Sequence, residues 1–352
     1  RNKIQFRLGT VDGQAVFGFY RPRSHTLVPV SECEIQMPEA SAIRAFVLSF
    51  INKHGISVYD EDSHTGLLRG IMVRTSHKDG SSMLVLVING ETLPEQEAFL
   101  AALPSALPQV GSVYLNVNTA RTNVFLGERF LKLYGTDFLR DAIGTAQFDI
   151  SPVSFFQVNP EKTEKLYNTV REFAALTPDT ALLDLYCGIG SIGIFLAKGC
   201  ALRSLTGIEY VPHAIEDAKR NAALNGLSDY TFYAGDVAEI LTEKSLSLAH
   251  PDFIVLDPPR KGCDAAVLSA AAELAPNRIV YVSCNPATLA RDLKQLESSG
   301  YFCRRVRPVD MFPETGHVET VCLLDRRKPD AAIKFSVNTE DCYRIKEGKG
   351  TE

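Results

Sequence analysis

Hydrophobic and polar positions change rhythm along the chain. After residue 160, short apolar runs alternate with amphipathic stretches. The runs 181–187, 204–210, 231–235, 252–256 and 279–284 read as strands, and the stretches starting at 160, 193, 212, 265 and 287 read as helices. Apolar runs of this length bounded by turn residues suit buried strands, while a 3.6-residue period suits helices. Asn159 fits an N-cap with Pro160 at the first helical position, where a missing N–H costs nothing. Such alternation predicts a mostly parallel sheet covered by helices on both faces. The last two runs, 302–308 and 317–324, have no helix between them and predict an antiparallel hairpin at one edge.

Before residue 146 this alternation is missing. Runs 16–20, 82–88 and 111–118 suit strands, and 41–53 suits a helix with Ser41 as its cap. Hairpins with a few helices predict a smaller α+β module. Arg1, Lys3, Arg7, Arg21 and Arg23 interleave with Phe6, Phe17, Phe19 and Tyr20. That mixture can hold single-stranded nucleic acid by phosphate contact and stacking. It also suits an exposed edge strand that repels other edges, which these residues alone favour. The expected division is 1–146, 147–328, and a charged, pattern-poor tail at 329–352.

Composition narrows the class. A length of 352 residues suggests about two domains. No run is long and apolar enough to cross a bilayer, and no secretory leader opens the chain, so a cytoplasmic location is expected. A net charge of −5 argues against wholesale coating of nucleic acid but leaves room for a local basic face. The eight cysteines include no Cys-x-x-Cys pair, which argues against a self-contained zinc site and for reduced thiols. The chain opens at Arg1 rather than Met, as a fragment or processed form would, so an upstream domain is expected.

Candidate chemistry gathers at the ends of the predicted strands, where open α/β sheets bind ligands. The first strand of the alternating region runs through Asp184 into Tyr186-Cys187-Gly188-Ile189-Gly190-Ser191. Glycines at such a turn let a ligand approach the backbone. Glu209 ends the next strand, where an acidic side chain can accept from ribose hydroxyls, and Asp236 ends the third, within reach of an adenine edge. Gly188, Gly190 and Gly193 also have the spacing of a dinucleotide loop, but the adjacent Asp184 suits a sulfonium or ammonium group better than a pyrophosphate. S-adenosylmethionine is therefore favoured over NAD. Asp257-Pro258-Pro259-Arg260 makes a rigid turn at the end of the fourth strand.

Cys284 ends the run 279–284 and precedes Asn285-Pro286. Alone, it reads as a small buried hydrophobe. Beside Asp257, and with Glu319 in the last strand, it completes a set of thiol, base and cofactor loop. Methyl transfer to a pyrimidine C5 needs that set. A thiolate adds to C6 to make C5 nucleophilic, and a base later removes the C5 proton.

Five segments carry a resemblance. They are Phe155-Phe156-Gln157-Val158-Asn159, Asp184 to Gly190, Asp257 to Gly262, Val282 to Thr288, and Asp310-Met311-Phe312-Pro313 with His317-Val318-Glu319. Together they resemble the S-adenosylmethionine-dependent RNA (uracil-C5)-methyltransferases, most of all the bacterial 23S ribosomal RNA enzymes. The resemblance implies a Rossmann-like class I methyltransferase domain preceded by a smaller RNA-binding domain. It implies Cys284 as nucleophile and Glu319 as general base. Gln157, Tyr186, Gly188, Ser191, Glu209, Asp236 and Asp257 fall at the cofactor site, though Ser191 stands where the family often has Asn. Arg260 and Gln157 would contact the flipped uracil. Many ribosomal RNA members carry a [4Fe-4S] cluster. Cys33 matches its fourth ligand, so the cluster is expected only in a longer chain, and no metal is expected in this one. RNA is the expected partner, 23S ribosomal RNA first and transfer RNA as alternative, with the protein a monomer.

Two other readings have discriminating features. Cytosine-C5 enzymes acting on RNA usually carry a further Cys after the proline of the fourth-strand turn, and here Pro259 is followed by Arg260. A non-catalytic RNA-binding or folding factor would have no use for Cys284, Glu319 and the cofactor carboxylates together.

Overall fold

The computed structural model describes residues 1–244, 248 and 250–326. The expected tail at 329–352 lies outside them. The chain forms two compact units, Arg1–Pro160 and Glu161–Glu352. No helix among the described residues is long and apolar enough to cross a membrane.

The first unit contains β1 (Lys3–Val11), β2 (Gln14–Tyr20), β3 (Leu27–Pro29), α1 (Pro38–His54), β4 (Leu68–Thr75) and β5 (Ser82–Ile88). It continues with α2 (Gln96–Ala106), β6 (Val110–Val117), β7 (Arg129–Gly135) and the hairpin β8 (Leu139–Ile143) and β9 (Ala146–Ile150). Seven strands form a sheet in the order β3-β2-β1-β4-β5-β6-β7. The central strands β4 and β5 are buried along their whole length. One core joins Phe6, Ile71, Leu84 and Leu86 of the sheet to Ile43 and Val47 of α1 and Phe99 and Leu103 of α2. A smaller cluster on other sheet positions holds Met72, Met83, Val85, Val87 and Tyr114.

Three sequence expectations change here. The strands β5 and β6 are parallel, so β5–α2–β6 is a crossover unit in a region whose pattern suggests none. Pro104 inside the short α2 hides its helical character. Helix α1 begins at Pro38 after Met37, so Ser41 is not its cap but lies inside it. Proline favours the first turn and sets the earlier start. The division falls at Pro160 rather than 146, because β9 pairs with β8, and Asn2 donates its backbone N–H to Val158 O at 2.9 Å and its side-chain amide to Gln157 O at 3.2 Å.

The second unit runs α3 (Pro160–Ala174), β10 (Ala181–Leu185), α4 (Ser191–Gly199), β11 (Ser204–Glu209), α5 (Pro212–Leu224), β12 (Tyr230–Ala234) and α6 (Val237–Glu243). Then come β13 (Phe253–Leu256), α7 (Ala265–Glu273), β14 (Arg278–Ser283), α8 (Pro286–Ser298), β15 (Phe302–Val309) and β16 (Glu319–Asp325). The sheet order is β12-β11-β10-β13-β14-β16-β15. The first five are mutually parallel, and β16 runs antiparallel to both β14 and β15. The expected parallel sheet with an antiparallel edge hairpin is therefore present. The chain leaves β10 towards β11 on one side and later returns to β13 on the other. This reversal opens a crevice at the carboxyl ends of β10 and β13, where open α/β sheets take ligands.

Candidate active site

The loop after β10 is shaped by three residues with positive φ: Tyr186 at 64°, Gly188 at 54° and Gly190 at 78°. This region is open to glycine and costs a side-chain-bearing residue about 1–2 kcal/mol. Tyr186 bears that cost at the rim of the crevice. A Cβ built on Gly188 meets nothing within 4 Å, so the loop leaves open space there. At Gly193 a Cβ would stand 2.8 Å from Asp184 Oδ2, so glycine permits the close approach of helix and strand.

Asp184 is buried at the centre of the sheet. Its Oδ2 accepts the Gly193 N–H at 2.9 Å, and its Oδ1 has no hydrogen-bond partner. Burial pushes its carboxyl up to about 7 despite the Gly193 N–H, and Glu209 adds to the rise. Glu209 Oε2 accepts from Gly188 N–H at 3.1 Å and Oε1 from Val211 N–H at 3.0 Å. Asp236 caps α6, its Oδ1 accepting from Ala238 N–H at 2.9 Å and Glu239 N–H at 3.1 Å. The Ser191 hydroxyl lies 2.7 Å from the phenol oxygen of the buried Tyr167. Asp257 follows the last residue of β13. Burial, then Glu319 and Asp184, raise its carboxyl well above the usual range. Asp184, Glu209, Asp236 and Asp257 thus make a crevice rich in carboxylates.

Cys284 follows the last residue of β14. The β14–β16 ladder pairs Ser283 with Thr320, so its next step outward brings Cys284 beside Glu319. The thiol is half-buried, and burial, Glu319 and Asp257 raise it above its ordinary value while Arg260 opposes them. Glu319 is buried, and burial raises its carboxyl while Arg260 lowers it. The guanidinium therefore acts electrostatically on both members of the pair.

The turn carrying Arg260 is fixed from below. Gly262 donates to Pro259 O at 2.8 Å and adopts φ of 77°. Asn285 Nδ2 donates to Arg260 O at 3.2 Å, and Arg291 Nη2 to Lys261 O at 2.9 Å. Asp292 Oδ2 accepts from Cys263 N–H at 2.8 Å and from the Tyr281 phenol at 2.6 Å. Asn285 also caps α8 through Ala287 N–H. Sequence motifs do not single out Tyr167, Tyr281, Arg291 or Asp292. One signal was present: a phenol inside the apolar run Arg278–Ser283 needs a buried partner, and Asp292 on the buried face of α8 is that partner.

The second unit thus gathers Tyr186, Gly188, Ser191, Glu209, Asp236, Asp257, Arg260, Cys284 and Glu319 at one sheet edge. Gln157 lies in the first unit, buried, with its carbonyl held by Asn2. Cys33 is half-buried against the core of the first unit. Among the described residues no group of three or more His, Cys, Asp or Glu is arranged to hold a metal ion. The described residues therefore do not fit a four-cysteine cluster, which needs ligands beyond Cys33.

Comparison with known proteins places this arrangement in a family. Residues 133–327 match the family described as tRNA (Uracil-5-)-methyltransferase. An uncharacterized RNA methyltransferase of Oceanobacillus iheyensis is 46% identical over 325 residues, covering 92% of this chain and 70% of that protein. One from Halalkalibacterium halodurans is 44% identical with the same coverage. Among solved structures, the tRNA (uracil-54, C5)-methyltransferase of Pyrococcus abyssi in complex with S-adenosyl-L-homocysteine superposes with a TM-score of 0.77 at 30% identity. That match covers 92% of this chain and 75% of the archaeal one. On these matches, the chain belongs to the tRNA (uracil-5-)-methyltransferase family.

Proposed function

We propose that this chain methylates C5 of a uridine in RNA, through a covalent Cys284–C6 adduct, with S-adenosylmethionine as methyl donor. The observation that carries the reading is the placement of Cys284 and Glu319 side by side, one step beyond the Ser283–Thr320 pair, beside Arg260 and the carboxylate-rich crevice.

The crevice suits a cationic cofactor. Asp184 has a buried oxygen without a partner, and its raised carboxyl would ionise readily beside a positive group. Glu209 and Asp236 hold backbone N–H groups, yet each carboxylate oxygen can accept more than one hydrogen bond. They would hold the ribose hydroxyls and the adenine edge, with Asp257, Tyr186, Gly188 and Ser191 completing the site. When bound, S-adenosylmethionine supplies an electrophilic methyl group.

The protein's own residues do the rest. Arg260 favours the thiolate of Cys284, which adds to C6 of a uracil taken out of its stack. Arg260 contacts the edge of the base. Once C5 carries the methyl, Glu319 takes the C5 proton. The ring double bond re-forms and the Cys284 sulfur leaves. A carboxyl raised by burial is a stronger base than an ordinary one, which suits removal of a carbon-bound proton.

The sequence resemblance supports 23S ribosomal RNA as substrate. The names of the matched family and of the archaeal structure favour transfer RNA as the second reading. One experiment tests the function. The protein is incubated with labelled S-adenosylmethionine and with ribosomal and transfer RNA fractions lacking the modification, and the nucleosides are analysed by mass spectrometry. Labelled 5-methyluridine is expected. Labelled 5-methylcytidine, or no labelled nucleoside, would overturn the proposal, and the labelled fraction identifies the RNA class.

A further inference from the structure

The first unit contains a cleft that the proposed chemistry does not use. Two adjoining cavities, of about 520 and 550 Å³, share His25, Glu61 and Asn123 as walls. Arg121 lines one, and Tyr20, Arg21 and Arg23 line the other. All these residues precede the segment 133–327 matched by the family.

The cleft is built on buried charge. Arg69 is fully buried, with Nη1 donating to Asn118 O at 3.0 Å and Ala120 O at 2.8 Å, and Nη2 to Thr122 O at 2.9 Å and Glu61 Oε2 at 3.2 Å. Arg7 donates to Asn123 O at 2.9 Å and to Glu61 Oε1 at 3.1 Å, and lies over the Phe125 ring. Two arginines and one carboxylate therefore hold the backbone of the 118–123 loop from beneath. Their charges are spent inside the protein.

Arg21, Arg23 and Arg121, by contrast, are exposed and form no ion pair among the described residues. Nearby acids have partners other than these arginines: Asp60 accepts from Asp62 and Ser63 N–H, and Asp62 pairs with His25 of the cleft wall. The Tyr20 and His25 rings stand 5.8 Å apart at the same wall. Unspent guanidinium groups bind phosphates, and adjacent rings offer a face to a base.

We infer that this cleft binds a stretch of single-stranded RNA, with phosphates on Arg21, Arg23 and Arg121 and a base against the Tyr20–His25 wall. The RNA partner rests on the proposed function. A chain of net charge −5 has no general attraction for RNA, so a local cluster of this kind would set where the strand lies.

The test measures binding apart from catalysis. A fluorescein-labelled single-stranded RNA oligonucleotide is titrated against the wild-type chain and the triple variant Arg21→Glu, Arg23→Glu, Arg121→Glu across a salt series. Loss of three phosphate contacts should weaken binding at least tenfold and lower the salt slope by about 2, at roughly 0.7 per contact on a single strand. The variant Arg21→Lys, Arg23→Lys, Arg121→Lys should keep most of the affinity. Thermal midpoint and S-adenosylmethionine binding, measured alongside, should not move, because the three side chains are exposed and unpaired. Unchanged RNA affinity and salt slope in the glutamate variant would overturn the inference. RNA binding that depends on the three arginines, without any methylation by the wild type, would leave the cleft standing and sink the proposed function instead.

Discussion

Tyr281 in β14 donates its phenol hydrogen to Asp292 in α8 at 2.6 Å, deep under the turn that carries Arg260. The same carboxylate oxygen accepts the Cys263 N–H, so one buried oxygen joins the strand before Cys284 to the end of that turn.

Replacing Asp292 by Ala leaves a buried phenol and a buried amide without partners. Each such group costs about 1–3 kcal/mol. The thermal midpoint should fall by roughly 4–24 °C, at about 2–4 °C per kcal/mol for a unit of this size. Tyr281→Phe removes only the donor and should cost less. Calorimetry of both variants checks the order, and an Asp292→Ala variant as stable as wild type would show that the turn is held by other bonds.

Cys284→Ala should lose turnover and any covalent RNA adduct. Glu319→Gln should still form the adduct but fail to release it. Denaturing gels of protein incubated with RNA and S-adenosylmethionine distinguish the two. Full activity in Cys284→Ala would rule out the covalent route.

The pH profile follows from the same pair. Burial, then Glu319 and Asp257, raise the Cys284 thiol above its ordinary value of 9.0. The thiolate is therefore scarce at neutral pH, and adduct formation in a single turnover should rise by up to about tenfold per unit from pH 7 to 9. Arg260 acts against the rise. Arg260→Gln should move the profile to higher pH, while an unchanged profile would remove Arg260 from thiolate formation.

Asp184 makes a prediction for stability. Its folded-state value of about 7 lies above the unfolded value near 3.8. Between these values the folded chain binds more protons than the unfolded one, so this group's contribution falls as pH rises from about 4 to 7. Asp184→Asn should flatten that part of the stability curve, measured as thermal midpoint against pH. Saturating S-adenosylmethionine should flatten it as well, because a cation lowers the folded-state value.

Much of the second unit was legible because its strands are short apolar runs ending at polar residues, and Cys284, Asp257 and Glu209 mark those ends. Helix α6 was not, since its seven residues are too few to show a period and its cap, Asp236, reads equally well as a ligand. The first unit was harder. Strand β4 is buried on both faces and gives no alternation, and it carries Arg69 and Arg74 in fully buried positions, against every expectation for a core strand. The partners that make this possible lie far along the chain, such as Ser154 O for Arg74 and Ala120 O for Arg69. The supports of the turn at 257–263 were invisible for the same reason: Asp292 has meaning only once α8 packs beneath it.

The antiparallel course of β16 separates the position of Glu319 from the loop before it. The parallel strands reach the crevice at their ends, but β16 starts there, so Glu319 is located by the ladder it shares with Ser283 and Thr320 rather than by the loop that precedes it. The connection at 310–318 can therefore lengthen, shorten or change sequence without moving Glu319 relative to Cys284. A lineage could refit that connection while Glu319 stays in register with Cys284.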